Sequence, residues 1–293
     1  MVRLGLNLPT FDPLRVGGPP RFVQVAQAAE RTGFDAVWVG DHLVSPAPVY
    51  DATVALAAVA AVTPRLQLGF AVMLLGLRQP AWVAKQITTL DALAPGRLLL
   101  GVGVGGEFPE EFAALGLNVK RRGRLLDDAL AALPDWLTGG SAPVLAPTMP
   151  KLPPIWVGGR SDAALRRAAR AGDGWLATWM SPERIAEAGK KLAELAAAAG
   201  RPRPALGLAV SVNVDANEGR AREQAEDYIK AMYGMAFERV ERYTPVGSVE
   251  RVAERLREYA AAGVQEFVLT ALSPEPLAQV ARLAELRELS SRP

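Results

Sequence analysis

Short apolar runs alternate with helix-length amphipathic stretches from one end of this chain to the other. Residues 2–8, 35–39, 66–73, 97–102, 154–157, 174–178, 206–214 and 266–269 are brief, rich in branched or aromatic side chains, and read as strands. Residues 22–32, 53–62, 80–93, 122–137, 163–171, 220–232 and 274–288 carry apolar residues at helical spacing. Two further helices are marked by their starts: Ser181 followed by Pro182 and Glu183, and Ser248 opening a stretch that runs to Ala262. Gly33 and Gly263 stand where helix C-caps belong. Eight strand-then-helix units predict parallel strands with helical crossovers, closed into a (β/α)8 TIM barrel. A doubly wound open sheet is the alternative. The 293 residues suit one such barrel, which takes about 250. Residues 1–293 are therefore expected to form a single domain, with 138–151 (TGGSAPVLAPTMPK) as a long barrel loop rather than a linker.

Composition removes several classes of function. There is no cysteine, which excludes disulfides, thiolate metal sites and cysteine nucleophiles. The single histidine argues against a catalytic zinc site. No serine sits between nucleophile-elbow glycines. The net charge is +2, and Arg121, Arg122 and Arg124 form the one tight basic cluster. Asp127 and Asp128 follow it, so it reads as a solvated helix start and not as a nucleic-acid patch. Charges or prolines interrupt every apolar stretch before it is long enough to span a bilayer. The N-terminal residues read as a strand, not a signal peptide. The expectation is a cytoplasmic protein with a small-molecule substrate, binding neither nucleic acid nor membrane.

In such a barrel the chemistry sits just past the C-terminal ends of the strands. Gly40-Asp41-His42-Leu43 follows the second strand, and His42 is a candidate donor or proton-transfer group. Asp41 either orients this loop or caps the turn. After the fourth strand, Gly101 to Gly106 (GVGVGG) meets the G-x-G-x-x-G spacing, but in mid-chain and without a clear helix at its end. We therefore read Gly103 and Gly105 as bare backbone that lets a flat ring approach. Glu107, Glu110 and Glu111 follow; one is a candidate carboxylate near that ring, the others surface charge. After the fifth strand, Gly158-Gly159-Arg160-Ser161 leads into a helix. Free backbone N–H groups there suit a phosphate, with Arg160 adding charge; an ordinary helix capped by Ser161 is the other reading. Trp38, Trp156, Trp175 and Trp179 lie in or near strands; they could line an apolar pocket, while barrel and helix packing is the usual role. Residues 43–50 and 138–151 are apolar, proline-rich loops expected to line the pocket.

Four segments together resemble the bacterial-luciferase-like superfamily of flavin and deazaflavin oxidoreductases: 33–43 (GFDAVWVGDHL), 80–105 (PAWVAKQITTLDALAPGRLLLGVGVG), 111–128 (EFAALGLNVKRRGRLLDD) and 153–175 (PPIWVGGRSDAALRRAARAGDGW). The resemblance runs from residue 1 to about 270. It implies a barrel with the cofactor ring at the strand ends, its phosphate near the loop after the fifth strand, and a homodimer. GDHL is similar to the coenzyme F420-dependent branch, where a histidine lies beside the deazaflavin ring; that maps to His42. Residues 70–73 (FAVM) resemble the segment that carries a non-prolyl cis peptide behind the ring, here Ala71–Val72. Some members carry a catalytic glutamate directly after the glycine run; Gly106 holds that position here and Glu107 comes one later. A tryptophan two residues after the histidine in some sugar-phosphate dehydrogenases is Val44 here, which speaks against that substrate. The leading expectation is an F420-dependent oxidoreductase that exchanges hydride with a small, apolar organic molecule. The alternatives are an FMN-dependent monooxygenase, which needs a dry pocket, and a flavin-binding barrel without turnover.

Overall fold

The computed structural model describes residues 2–15 and 21–290. Its strands are β1 (Arg3–Asn7), β2 (Ala36–Val39), β3 (Gln67–Phe70), β4 (Leu98–Val102), β5 (Ile155–Gly158), β6 (Gly174–Thr178), β7 (Ala205–Val214), β8 (Val246–Gly247) and β9 (Glu266–Ala271). The α-helices are α1 (Phe22–Thr32), α2 (Ala52–Ala60), α3 (Pro80–Leu93), α4 (Pro109–Ala114), α5 (Arg122–Thr138), α6 (Asp162–Ala171), α7 (Pro182–Ala198), α8 (Glu218–Tyr233), α9 (Val249–Ala261) and α10 (Pro276–Ser290). Strands β1 to β7 pair in order, β7 pairs with β9 and β9 with β1, all in parallel, so eight strands close a TIM barrel of the luciferase-like type. The two-residue β8 only extends the far end of β7.

Local chemistry explains the element boundaries. Gly33 closes α1 in the left-handed conformation (φ 83°). Ser161, Ser181 and Ser248 each accept a hydrogen bond from the backbone N–H three residues on, capping α6, α7 and α9. β3 is shorter than its apolar run. The chain departs at the Ala71–Val72 cis peptide, and Met73 rejoins β4 through a bridge to Val102. Short α4 has no counterpart in the sequence reading, because six residues cannot display a helical period.

Two indoles plug the barrel. Trp38 and Trp156 are buried edge-to-face with centroids 6.2 Å apart. They fit because their neighbours lack side chains. A Cβ on Gly69 or Gly5 would lie 2.2 or 2.4 Å from Trp38, and one on Gly174 or Gly207 would lie 2.3 or 2.8 Å from Trp156. Side chains alternate along a strand. Two residues beyond this layer therefore come Gly40, Ala71, Gly158 and Ala209, which also face inward and line the cavity described below. Two residues before it, at the other end, Arg3 pairs with Glu266 (3.2 Å) and bonds to Gln67. The loop of residues 138–151 joins α5 to β5 and so lies at that other end, because αβ connections return to the strand N-termini. None of its residues lines the cavity, contrary to the sequence expectation.

Candidate active site

A cavity of about 440 Å³ opens at the C-terminal ends of the strands. Gly40, Gly103, Gly158 and Thr178, taken from four different strand ends, all line it. So do His42, Asp41, Ala71, Val72, Gly105, Gly159 and Arg160. Ser161 does not, since its hydroxyl faces the Ala164 N–H at 3.3 Å as the cap of α6. Of residues 43–50, none reaches this cavity; Tyr50 lines a smaller neighbouring pocket of about 100 Å³.

His42 is held by one of the three glutamates that follow the glycine run. Glu111 on α4 is fully buried, and its Oε1 lies 2.8 Å from His42 Nδ1. The same oxygen accepts the backbone N–H groups of Leu43 (2.9 Å) and Val44 (3.3 Å). One carboxylate thus fixes both the imidazole and the loop that carries it. When His42 is neutral, this contact puts its proton on Nδ1 and leaves Nε2 as an acceptor. Nε2 faces Glu107 Oε2 at 3.8 Å, and Glu107 is half-exposed on the cavity edge. Phe11 and Phe108 pack edge-on against the ring. A signal for α4 was present in Phe108-Pro109-Glu110-Glu111: proline at the first helical position with acids in the first turn.

Asp41 is a tie between loops. Its Oδ2 accepts the Leu74 N–H (2.9 Å) and its Oδ1 the Arg78 guanidinium (2.6 Å), so it braces the end of β2 against the segment after β3. Of the two readings left open by the sequence, this is the orienting one.

At the β3, β4 and β5 ends the cavity wall is bare backbone at Gly103 and Gly158, with the small side chains of Ala71 and Val72 beside it. Val72 fills most of the space: a Cβ on Gly103 would lie 2.3 Å from Val72 Cγ2, and one on Gly158 2.9 Å from Cγ1. These glycines are bare first of all to accept Val72, which then presents itself to the cavity. Beyond the wall, Gly159 takes φ 122°, a region that favours glycine. Its N–H donates to Leu176 O (3.1 Å), and its carbonyl accepts the Trp175 indole N–H (2.6 Å). Gly159 thus has no N–H to spare for an anion; of residues 158–161, Gly158, Gly159 and Arg160 line the cavity, and Ser161 stands next to them as the cap of the ten-residue α6.

Of the four tryptophans that could line a pocket, Trp179 does so, on an aromatic side whose two tyrosines the sequence reading missed. Trp179 follows β6 with φ 48°, packs edge-on against Tyr233 (5.2 Å), and lies under Arg160 (5.8 Å). Tyr228 and Tyr233 of α8 line the cavity as well. Burial pushes both phenols well above their ordinary pKa, with Asp12 adding to the effect at Tyr228 and Glu107 at Tyr233.

Comparison with known proteins places this architecture. An uncharacterised protein of Mycobacterium tuberculosis is 32% identical over 216 residues, covering 62% of this chain and 74% of that protein. An F420-dependent glucose-6-phosphate dehydrogenase of Kineococcus radiotolerans is 34% identical over 195 residues, 57% of each chain. Among solved structures, an F420-dependent secondary alcohol dehydrogenase in complex with an F420–acetone adduct superposes with a TM-score of 0.87 over 99% of both chains, at 18% identity, which establishes a shared fold. The profile of the luciferase-like monooxygenase family matches residues 2–266. With that match spanning most of the barrel, the chain belongs to the luciferase-like monooxygenase family.

Proposed function

We propose that this protein is an oxidoreductase that uses coenzyme F420 for two-electron hydride exchange with a small, largely apolar organic substrate. The observation that carries the reading is the Glu111-held imidazole of His42 on the rim of a glycine-walled cavity. The residues present suit the cofactor. The cavity volume falls within the range of about 300–1,000 Å³ typical of small-molecule sites. Val72, Gly103, Gly105 and Gly158 offer a flat face free of larger side chains, and the amides of Arg160 and Ser161 suit a phosphate. Relatives named as F420-dependent give further support. When bound, F420 carries the hydride.

The protein's own task is the accompanying proton. His42 Nε2 accepts it from a substrate oxygen, or returns it there in the reverse direction. Glu111 stabilises the imidazolium that results. Glu107, 3.8 Å from Nε2 and half-exposed, links that nitrogen to solvent. The test is an absorbance titration of the purified protein with F420 and with FMN in parallel. Tighter binding of F420 is expected. Preference for FMN would favour the monooxygenase reading, and binding of neither would sink both.

A further inference from the structure

The wall opposite the glycines is polar but uncharged. At the ends of β6, β7, β9 and β1 the cavity is lined by Thr178, Ser211, Thr270 and Asn7. Strand register sets Ser211 beside Thr270, and Thr270 beside Asn7. Asn7 Nδ2 lies 3.2 Å from Thr270 Oγ1, while Asn7 Oδ1 is buried without a partner. Turning the amide over only changes which of its two polar atoms is left over. The Thr178 and Ser211 hydroxyls have no protein partner among the described residues. Polar atoms lining a cavity without partners are groups that a ligand can satisfy.

Charge points the same way. Among the described residues lining the cavity, Arg160 is the permanent cation. It stands over Trp179, beside the amides assigned to the cofactor phosphate. Asp41 and Glu107 on the lining are acidic. Arg21, in the smaller neighbouring pocket, already has Glu275 at 4.0 Å. An anionic substrate at this wall would lose its hydration and meet no counter-charge, which is strongly unfavourable. An alcohol or ketone would meet groups that match it.

We propose that Asn7, Ser211 and Thr270 form the substrate-recognition surface, and that the substrate is an uncharged alcohol or carbonyl compound rather than a phosphate ester or carboxylate. This rests on the assignment of the glycine wall to the cofactor. The test measures binding of cyclohexanol, cyclohexanone, glucose 6-phosphate and lactate by ligand-observed NMR. It uses the purified protein, alone and saturated with whichever of F420 or FMN it takes. The two neutral probes are expected to bind and the two anions not. Ser211→Ala and Thr270→Val, each checked for native thermal unfolding, should weaken the neutral probes by about five- to tenfold, the size of one lost hydrogen bond. Ser211→Ala keeps the test open if Thr270→Val fails to fold. Anions binding as well as neutral probes, no binding of the neutral probes, or unchanged affinity in the folded variants would overturn the proposal. If neither cofactor binds, the oxidoreductase reading fails on its own, while the probe comparison still judges this wall.

Discussion

Glu111 holds a histidine and lines no part of the cavity itself, and that division of labour is measurable. Glu111→Gln keeps the shape but removes the charge that stabilises an imidazolium and the firm grip on Nδ1. Partners that orient a functional histidine are worth about 10–100-fold, and that loss is expected in the hydride-transfer rate. His42→Ala is expected to lose about 10²–10⁴-fold, the usual worth of a positioned acid–base group. If Glu111 works through His42, the double variant is no slower than His42→Ala alone. Stopped-flow rates of the three variants decide this; losses that multiply would show Glu111 acting independently. His42 was legible because it is the lone histidine and follows a strand. Glu111 was not, because it is one of three glutamates in a five-residue span, and only folding separates the buried one from the exposed pair.

At the level of elements, the glycine wall and Val72 form one packed unit. A methyl on Gly103 would sit 2.3 Å from Val72 Cγ2, closer than real atoms approach. Gly103→Ala is therefore expected to destabilise the fold by about 1–3 kcal/mol, the usual penalty of overpacking, and to weaken cofactor binding by pushing Val72 into the cavity. Adding Val72→Ala should restore most of the stability by removing the colliding methyls. Urea denaturation of the single and double variants reads this directly. A Gly103→Ala protein as stable as its parent would show that the wall is loosely packed. The glycine run was visible in the sequence, but its first purpose was not, because the side chain it accommodates comes from a different strand. The caps at Gly33, Ser181 and Ser248 were legible because each lies within its own helix end. The proline-rich loop of residues 138–151 was misplaced because composition does not say which end of a barrel a loop occupies; the order of helix before strand does.

Across the whole molecule, closure of the barrel brings together residues that have no relation in the sequence. Asn7 and Thr270 touch across 263 positions, and neither stands out in the chain until β1 pairs with β9. The same closure buries Glu266, the first residue of β9, at the barrel floor. Loss of hydration pushes its pKa up to about 7, with Asp35 adding a little; Arg3 and the Trp38 indole oppose the rise. The ordinary value is 4.5, so in the folded protein this carboxyl holds its proton to higher pH than in the unfolded chain. Between those two values the folded state binds more protons, and stability falls as pH rises. The contribution is fully present below pH 4.5 and is gone above about pH 7. A shift of this size corresponds to about 3 kcal/mol. Asp215 works in the opposite sense: its bond to Arg220, with Arg282 close by, lowers its pKa below 3.8, so its contribution is lost only as pH falls below that. Stability should therefore be greatest near pH 4.5 and decline toward pH 8. Glu266→Gln, which carries no charge to bury, should flatten the decline and be the more stable form at pH 8, since half-exposed Arg3 can turn to water. Urea denaturation of both proteins between pH 4.5 and 8 measures the difference. Parallel profiles would mean that Glu266 stays ionised in the barrel and that Arg3 compensates its burial in full.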